Sequence, residues 1–282
     1  MPDNQTNPAD DAFALPGMQV VSLRGPDAQE FAHAQFASDA KALPVGHWQW
    51  SCWLTAKGRV IAVFALARPE AGRLLMLLPD GRAEAIATQL RRYVFRRKVA
   101  IDVDGALHPA AACHAPAQAR GAVLAAAGGA LELDMGGPGL PRTLYLSADA
   151  APEDPVRALA WDEADLRLGL PRLADSQVEQ WTPQQLGLDR IAAYSVHKGC
   201  YPGQEIVART HFLGRAKRAT KLLQAEGGHP QPGDEVRPGG TVVAASGALA
   251  LAVVPLDEDA ARDWNVGGVA AHELPFADGL AR

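Results

Sequence analysis

The chain has few cysteines, no excess of positive charge, no export signal and no long unbroken apolar run, and each shortage removes a class of protein. Three cysteines, Cys52, Cys113 and Cys200, with no C-x-x-C pair in 282 residues, exclude a disulfide framework and a cysteine-only zinc site. A reducing cytoplasm is the expected compartment. With 27 basic against 32 acidic residues and a formal charge of −5, the molecule as a whole is not an electrostatic nucleic-acid binder. Direct nucleic-acid binding is therefore not expected, and any anion site must be local. The first residues are acidic and polar where a secretory signal needs a basic start and an apolar core. The longest uncharged stretch, 239–256, is mostly Ala and Val and is broken by Ser246-Gly247 and Pro255. It reads as a buried β-hairpin, and no membrane partner is expected.

What is present is an ordinary globular composition, 48% apolar and 21% charged, long enough for two or three domains. A short β-branched run at 20–23 ends at Gly25-Pro26, after which Asp27 opens a helical pattern. Runs at 47–54 and 60–66 flank the turn Ala56-Lys57-Gly58, and a third at 74–78 precedes Pro79-Asp80-Gly81. Ile86, Leu90 and Val94 recur on one helix face, and 99–103 alternates as a closing strand. The order βαβββαβ predicts an α+β layer with helices on one face of an antiparallel sheet. Weaker strands are expected at 121–126, 131–135 and 143–147, a helix at 155–168, and an irregular connection over 171–189. Short runs from 217 onward, separated by Gly and Pro turns, predict a small C-terminal β-barrel. The expected domains are 14–105, 106–215 and 216–282.

Chemistry concentrates near residue 200. Lys198, Arg209, Arg215, Lys217, Arg218 and Lys221 stand against the single acid Glu205, leaving the rest of the chain about twice as acidic as the total. Such a stripe is either a focus for an anionic ligand or a solvated face. A second basic cluster, Arg91, Arg92, Arg96, Arg97 and Lys98, falls at a predicted helix end, where the dipole favours cations. Within the stripe, Gly199 and Gly203 permit close backbone approach and Pro202 fixes φ between them, which presents Cys200 on a stiff turn. Lys198 and His197 would favour the thiolate if they face it. The competing reading is that Cys200 is a small buried hydrophobe. His197 and Cys200 also have metal-pair spacing, but two ligands without others do not make a site.

The segment Lys198-Gly199-Cys200-Tyr201-Pro202-Gly203-Gln204-Glu205 resembles the signature of the YgfZ family, folate-binding proteins related to the aminomethyltransferase (T protein) of glycine cleavage. Val207-Ala208-Arg209, Lys57-Gly58-Arg59-Val60, Tyr93-Val94 before Lys98-Val99, and Trp161 with Gly169-Leu170-Pro171 match the family in the same order. The resemblance implies a ring of three α+β and β-barrel domains around a central cavity for tetrahydrofolate. It also implies a role in assembly or repair of iron–sulfur clusters that indirectly supports tRNA-modifying enzymes. It makes folate and iron–sulfur client or assembly proteins the expected partners and admits a folate-dependent, transferase-like activity. Carried over, Cys200 is the reactive thiol with Lys198 beside it, while Trp161, Met18, Gln185, Tyr201 and Arg209 fall on the folate side. An indole can stack on a flat ring and basic side chains can pair a glutamate tail. Two positions depart: Met18 stands where the family often has tryptophan, and Thr182-Pro183-Gln184-Gln185 ends in an amide where aminomethyltransferases carry a carboxylate. The alternatives are an aminomethyltransferase, whose related motif generally has an acidic residue at the Cys200 position, and an RNA-binding module, which lacks the usual aromatic motif here.

Overall fold

A computed structural model describes residues 11–214, 217–256 and 263–282. The first layer follows the predicted order: β2 (Gln19–Arg24), α1 (Ala28–Gln35), β3 (His47–Leu54), β4 (Val60–Glu70), β5 (Arg73–Leu78), α2 (Ala83–Arg91) and β6 (Ala100–Val103). Its five strands pair antiparallel in the order β3-β4-β5-β2-β6. Phe31 and Ala32 of α1 and Ile86, Ala87 and Leu90 of α2 pack on one face of the sheet, against Leu23, Phe64, Leu74 and Met76.

The opposite face is buried as well. Trp50, Cys52, Val63, Ala65 and Leu77 share a core with Leu133, Leu144 and Leu146 of a second sheet, so β4 is apolar without a break from Val60 to Ala67, where a half-exposed strand would alternate. That second sheet has the order β1 (Phe13–Ala14), β7 (His108–Ala112), β10 (Thr143–Ser147), β9 (Ala130–Asp134), β8 (Ala125–Ala127). Its edge strand comes from the chain's beginning, ahead of the whole first layer, and pairs Phe13 with Ala111. The β7 and β1 strands are two that the sequence pattern did not reveal, because three of the five residues of β7 are alanine and β1 is two residues long.

This layer hides a polar anchor. Glu132 is fully buried, and its carboxylate accepts the backbone N–H groups of Ala117 (2.8 Å), Gln118 (2.8 Å) and Ala119 (2.7 Å). The three bonds hold an otherwise irregular loop. Glu132→Gln places an N–H donor among these donors, so thermal unfolding should show a loss of roughly 2 kcal/mol.

Helix α3 (Pro155–Arg167) is capped at Asp154, whose side chain accepts from Arg157 N. It leads into the irregular connection and then the third domain, a closed six-stranded barrel. The hairpin β13 (Gly240–Ser246) and β14 (Leu249–Pro255) forms the uncharged stretch predicted to be buried. From the barrel the last residues run back to the first two layers: Ala277 N bonds Arg167 O, and Trp50 Nε1 donates to Leu280 O at 2.9 Å. The fold class expected from the sequence is the one observed. No described helix is long and apolar enough to cross a membrane.

Candidate functional site

Helix α4 (Gln204–Phe212) completes the motif and was not expected from the sequence. Only Val207 of it is buried, so it lacks a broad apolar stripe. Its start is set by Gly203 at φ +79°. A Cβ there would lie 2.6 Å from Thr55 O and 2.7 Å from Gly58 Cα, while one on Gly58 (φ +70°) would lie 2.9 Å from Ile206 Cβ. The β3–β4 turn and the motif helix therefore meet glycine to glycine. This contact joins the two segments, Lys57-Gly58-Arg59-Val60 and the Cys200 motif, that carry the family resemblance.

Lys198 is turned into the fold. Its ammonium donates to the carbonyls of His33, Phe36 (2.5 Å) and Ser38 (3.2 Å), at and just beyond the C-terminal end of α1. Those carbonyls lack intrahelical partners and carry the negative end of the helix dipole. All three ammonium protons are thus engaged, and Lys198 acts as a helix cap delivered from a distant part of the chain. Burial lowers its pKa from 10.5 to about 8, against the opposing pull of Asp39 and Cys52. The Tyr201 ring lies 4.8 Å from Nζ, and its hydroxyl donates to Ser195 O at 2.9 Å. Ser195 Oγ accepts from the backbone N–H of both His197 and Lys198, and Gln204 Nε2 holds Lys198 O at 2.9 Å.

Cys200 is exposed within this locked frame. The side of the turn at Gly199 faces His33, whose Nε2 lies 3.6 Å from where a Gly199 Cβ would sit. His33 Nδ1 is 3.1 Å from Asp39 Oδ1, and its pKa is lowered first by burial and then by Lys198. No sequence pattern marks this histidine, because its place depends on how α1 meets a loop over 160 residues away.

The other residues singled out in the sequence are dispersed. Trp161 is buried in the core, with the Arg142 guanidinium 4.3 Å above its ring. Met18 lines a cavity of about 260 Å³ beside Asp104 and His108. Gln185 Oε1 accepts from Thr182 N (3.0 Å) while Thr182 Oγ1 accepts from Gln185 N (3.3 Å), a reciprocal cap that spends the amide on its own turn. Arg209 is exposed on α4. The basic stripe is not one surface: Lys198 is buried, Lys221 pairs with Glu273 at 2.6 Å, Arg218 donates to Gly239 O, and Arg215 lies outside the described residues.

A second cavity, about 280 Å³, opens where the three domains meet. Gly17, Pro79 and Asp80 come from the first layer, Asp162, Leu166 and Arg172 from α3 and the segment after it, and Ala244, Ala245 and Ser246 from the barrel. Trp161 stands immediately behind Asp162 in sequence. Cys200, Tyr201, Gln185 and Arg209 line neither cavity. Among the described residues no group of three or more His, Cys, Asp or Glu is placed to hold a metal ion.

No family model matches the chain. A tRNA-modifying protein YgfZ from Vibrio vulnificus (strain CMCP6) is 25% identical over 287 residues, covering 95% of this chain and 81% of that protein. Another of the same name from Sodalis glossinidius is 25% identical over 307 residues, covering 95% and 93%. The crystal structure of glycine cleavage system aminomethyltransferase T from Bartonella henselae superposes with a TM-score of 0.71 at 16% identity, covering 94% of this chain and 84% of that one. The likeness first visible in a short cysteine motif thus runs the length of the molecule: the chain is similar to the tRNA-modifying proteins YgfZ and has the fold of aminomethyltransferase T.

Proposed function

We propose that the protein binds a reduced folate, tetrahydrofolate, in the three-domain cavity and uses the Cys200 thiol in the assembly or repair of iron–sulfur clusters in other enzymes, tRNA-modifying enzymes among them. The observation that carries this reading is the placement of Cys200: the sulfur is exposed while Lys198, Tyr201, Gly203 and Gln204 are each fixed by buried contacts. A thiol held this way can meet a macromolecular partner without ordering its own loop first, which lowers the entropic cost of the encounter. One sulfur cannot ligate a cluster that needs several thiolates, so the cluster belongs to the client and the contact is transient. The names of the relatives point to tRNA modification as the process served. A cytoplasmic setting suits a free, exposed thiol.

The cavity suits the folate head. It lies near the lower end of the ~300–1,000 Å³ range of ligand sites, and its walls combine Pro79, Leu166, Leu173 and Ala244 with the charged side chains of Asp162 and Arg172.

Cys200→Ser tests the thiol. The variant should melt within about 1 °C of the parent, since an exposed substitution changes little, and should bind tetrahydrofolate equally. In cells lacking the native copy, the fraction of tRNA carrying a cluster-dependent modification, read by mass spectrometry, should fall severalfold. Full modification with serine in place would remove the thiol from the function.

A further inference from the structure

The basic cluster that follows α2 has no part in the function proposed above. Helix α2 ends at Arg91, whose guanidinium is committed to Ile101 O (2.7 Å), Glu84 (3.4 Å) and Asp102 (3.5 Å). Arg92, Arg96, Arg97 and Lys98 are exposed, and among the described residues none of their side-chain cations has a hydrogen-bond or ion-pair partner. The helix dipole fades within the last turn, so it does not account for the three cations from Arg96 onward. No acid stands between Glu84 and Asp102 in the sequence. A formal charge of −5 argues against anion binding over the whole surface, and this loop is a local exception to it.

The loop is nevertheless firmly held. Val94 and Val99 pack against the first-layer core, Arg97 N bonds Val94 O at 3.0 Å, and Lys98 N donates to Asp27 Oδ2 at 2.6 Å. The Tyr93 ring meets Trp53 edge to face at 6.2 Å, and Trp53 pairs with Phe36, whose carbonyl receives the Lys198 ammonium. The loop thus shares a scaffold with the frame around Cys200. Phe95, flanked by Arg92 on one side and by Arg96, Arg97 and Lys98 on the other, has φ +48° and a ring 87% exposed. Non-glycine residues adopt that backbone conformation at a cost.

One bare ring among unpaired cations narrows the partner. Phe95 with half-exposed Tyr93 is too little apolar area for the buried centre of a protein interface or for the apolar face of a membrane-seated segment. A single ring is the unit on which a single base stacks, and guanidinium groups bind phosphates through paired N–H donors. We propose that the loop 92–98 binds single-stranded RNA, with phosphates on Arg92, Arg96, Arg97 and Lys98 and an unpaired base on Phe95; the choice of RNA over DNA rests on the reading above, in which tRNA-modifying enzymes are served.

The test follows the fluorescence anisotropy of a short labelled oligouridine RNA titrated with the full-length protein. Four phosphate contacts predict a loss of affinity of about fiftyfold between about 50 and 200 mM salt, since log K falls with log salt by ~0.7 per contact on a single strand. The double variant Arg96→Gln, Arg97→Gln should halve that slope. Phe95→Ala should weaken binding about fivefold or more and leave the slope unchanged, because stacking on a ring releases no counterions. All three positions are exposed, and circular dichroism melts verify folding. An oligothymidine DNA of equal length, a polyglutamate peptide and vesicles of anionic lipid serve as competitors. No binding by the parent, parent-like binding by either variant, or tighter binding of any competitor than of the RNA would overturn the assignment. The thiol and folate reading is tested apart from it by Cys200→Ser, so either can fail while the other stands.

Discussion

Replacing Gly203 by alanine should lower the melting temperature by about 10 °C, the larger of two expected losses within one motif. The cause is backbone against backbone. The new Cβ would stand 2.6 Å from Thr55 O, 2.7 Å from Gly58 Cα and 2.8 Å from Gly58 N, so no side-chain rotation relieves it. Holding alanine at φ +79° costs ~1–2 kcal/mol, and forcing the turn and helix apart adds about 1–3 kcal/mol. The same change at Gly199 provides the control. There the nearest atom is His33 Nε2 at 3.6 Å, an ordinary contact, and φ is not left-handed. Gly199→Ala should melt close to the parent. A Gly203→Ala protein as stable as the Gly199→Ala protein would show that the glycine contact is not what holds α4 to the β3–β4 turn. The functional consequence is a faster reaction of Cys200 with a thiol reagent in the Gly203 variant, because its platform has loosened.

Lys198→Met should cost about 1 kcal/mol, read from equilibrium unfolding. Two large effects oppose each other. Methionine relieves the burial of an ammonium, which the fall from 10.5 to about 8 sets at ~3.4 kcal/mol from ~1.36 kcal/mol per pKa unit. It also strips the carbonyls of His33 and Phe36 of the ammonium donor, at about 1–3 kcal/mol each, while Ser38 O keeps the N–H of Ala40. The carbonyls prevail. The pH dependence has a definite sign: since the folded pKa is below the unfolded one, the burial cost is complete below pH 8 and is relieved as the pH rises toward 10.5. The stability gap between parent and variant should therefore widen between pH 8 and 10. A Lys198→Met protein with unchanged stability but lost cellular function would return the lysine to a chemical role at the thiol.

The two outcomes separate parts of the motif that look alike in sequence. Lysine, tyrosine and the second glycine secure the platform, while Cys200 and His197 face outward. The first layer was legible because its helices carry one apolar face and its strands are apolar runs bounded by turn residues. The pattern failed in the second layer, where Ala110, Ala111 and Ala112 in β7 carry no contrast between faces, and at α4, which buries one residue. The basic stripe looked continuous only because charge was counted along the chain. In three dimensions its members pair with a helix end, a barrel carbonyl and Glu273.

The amino-acid order alone determined the fold class, the barrel hairpin and the likeness carried by the Cys200 motif, because these depend on local propensity and on short patterns of residue types. Only the tertiary structure decided that Lys198 caps a distant helix, that Trp161 lies beneath Arg142, and that Asp80 and Asp162 share one cavity. Each of those depends on groups far apart in the chain coming within a few ångströms, and burial, which sets the energy of a charge or an unfilled lone pair, has no value until the domains have closed around it.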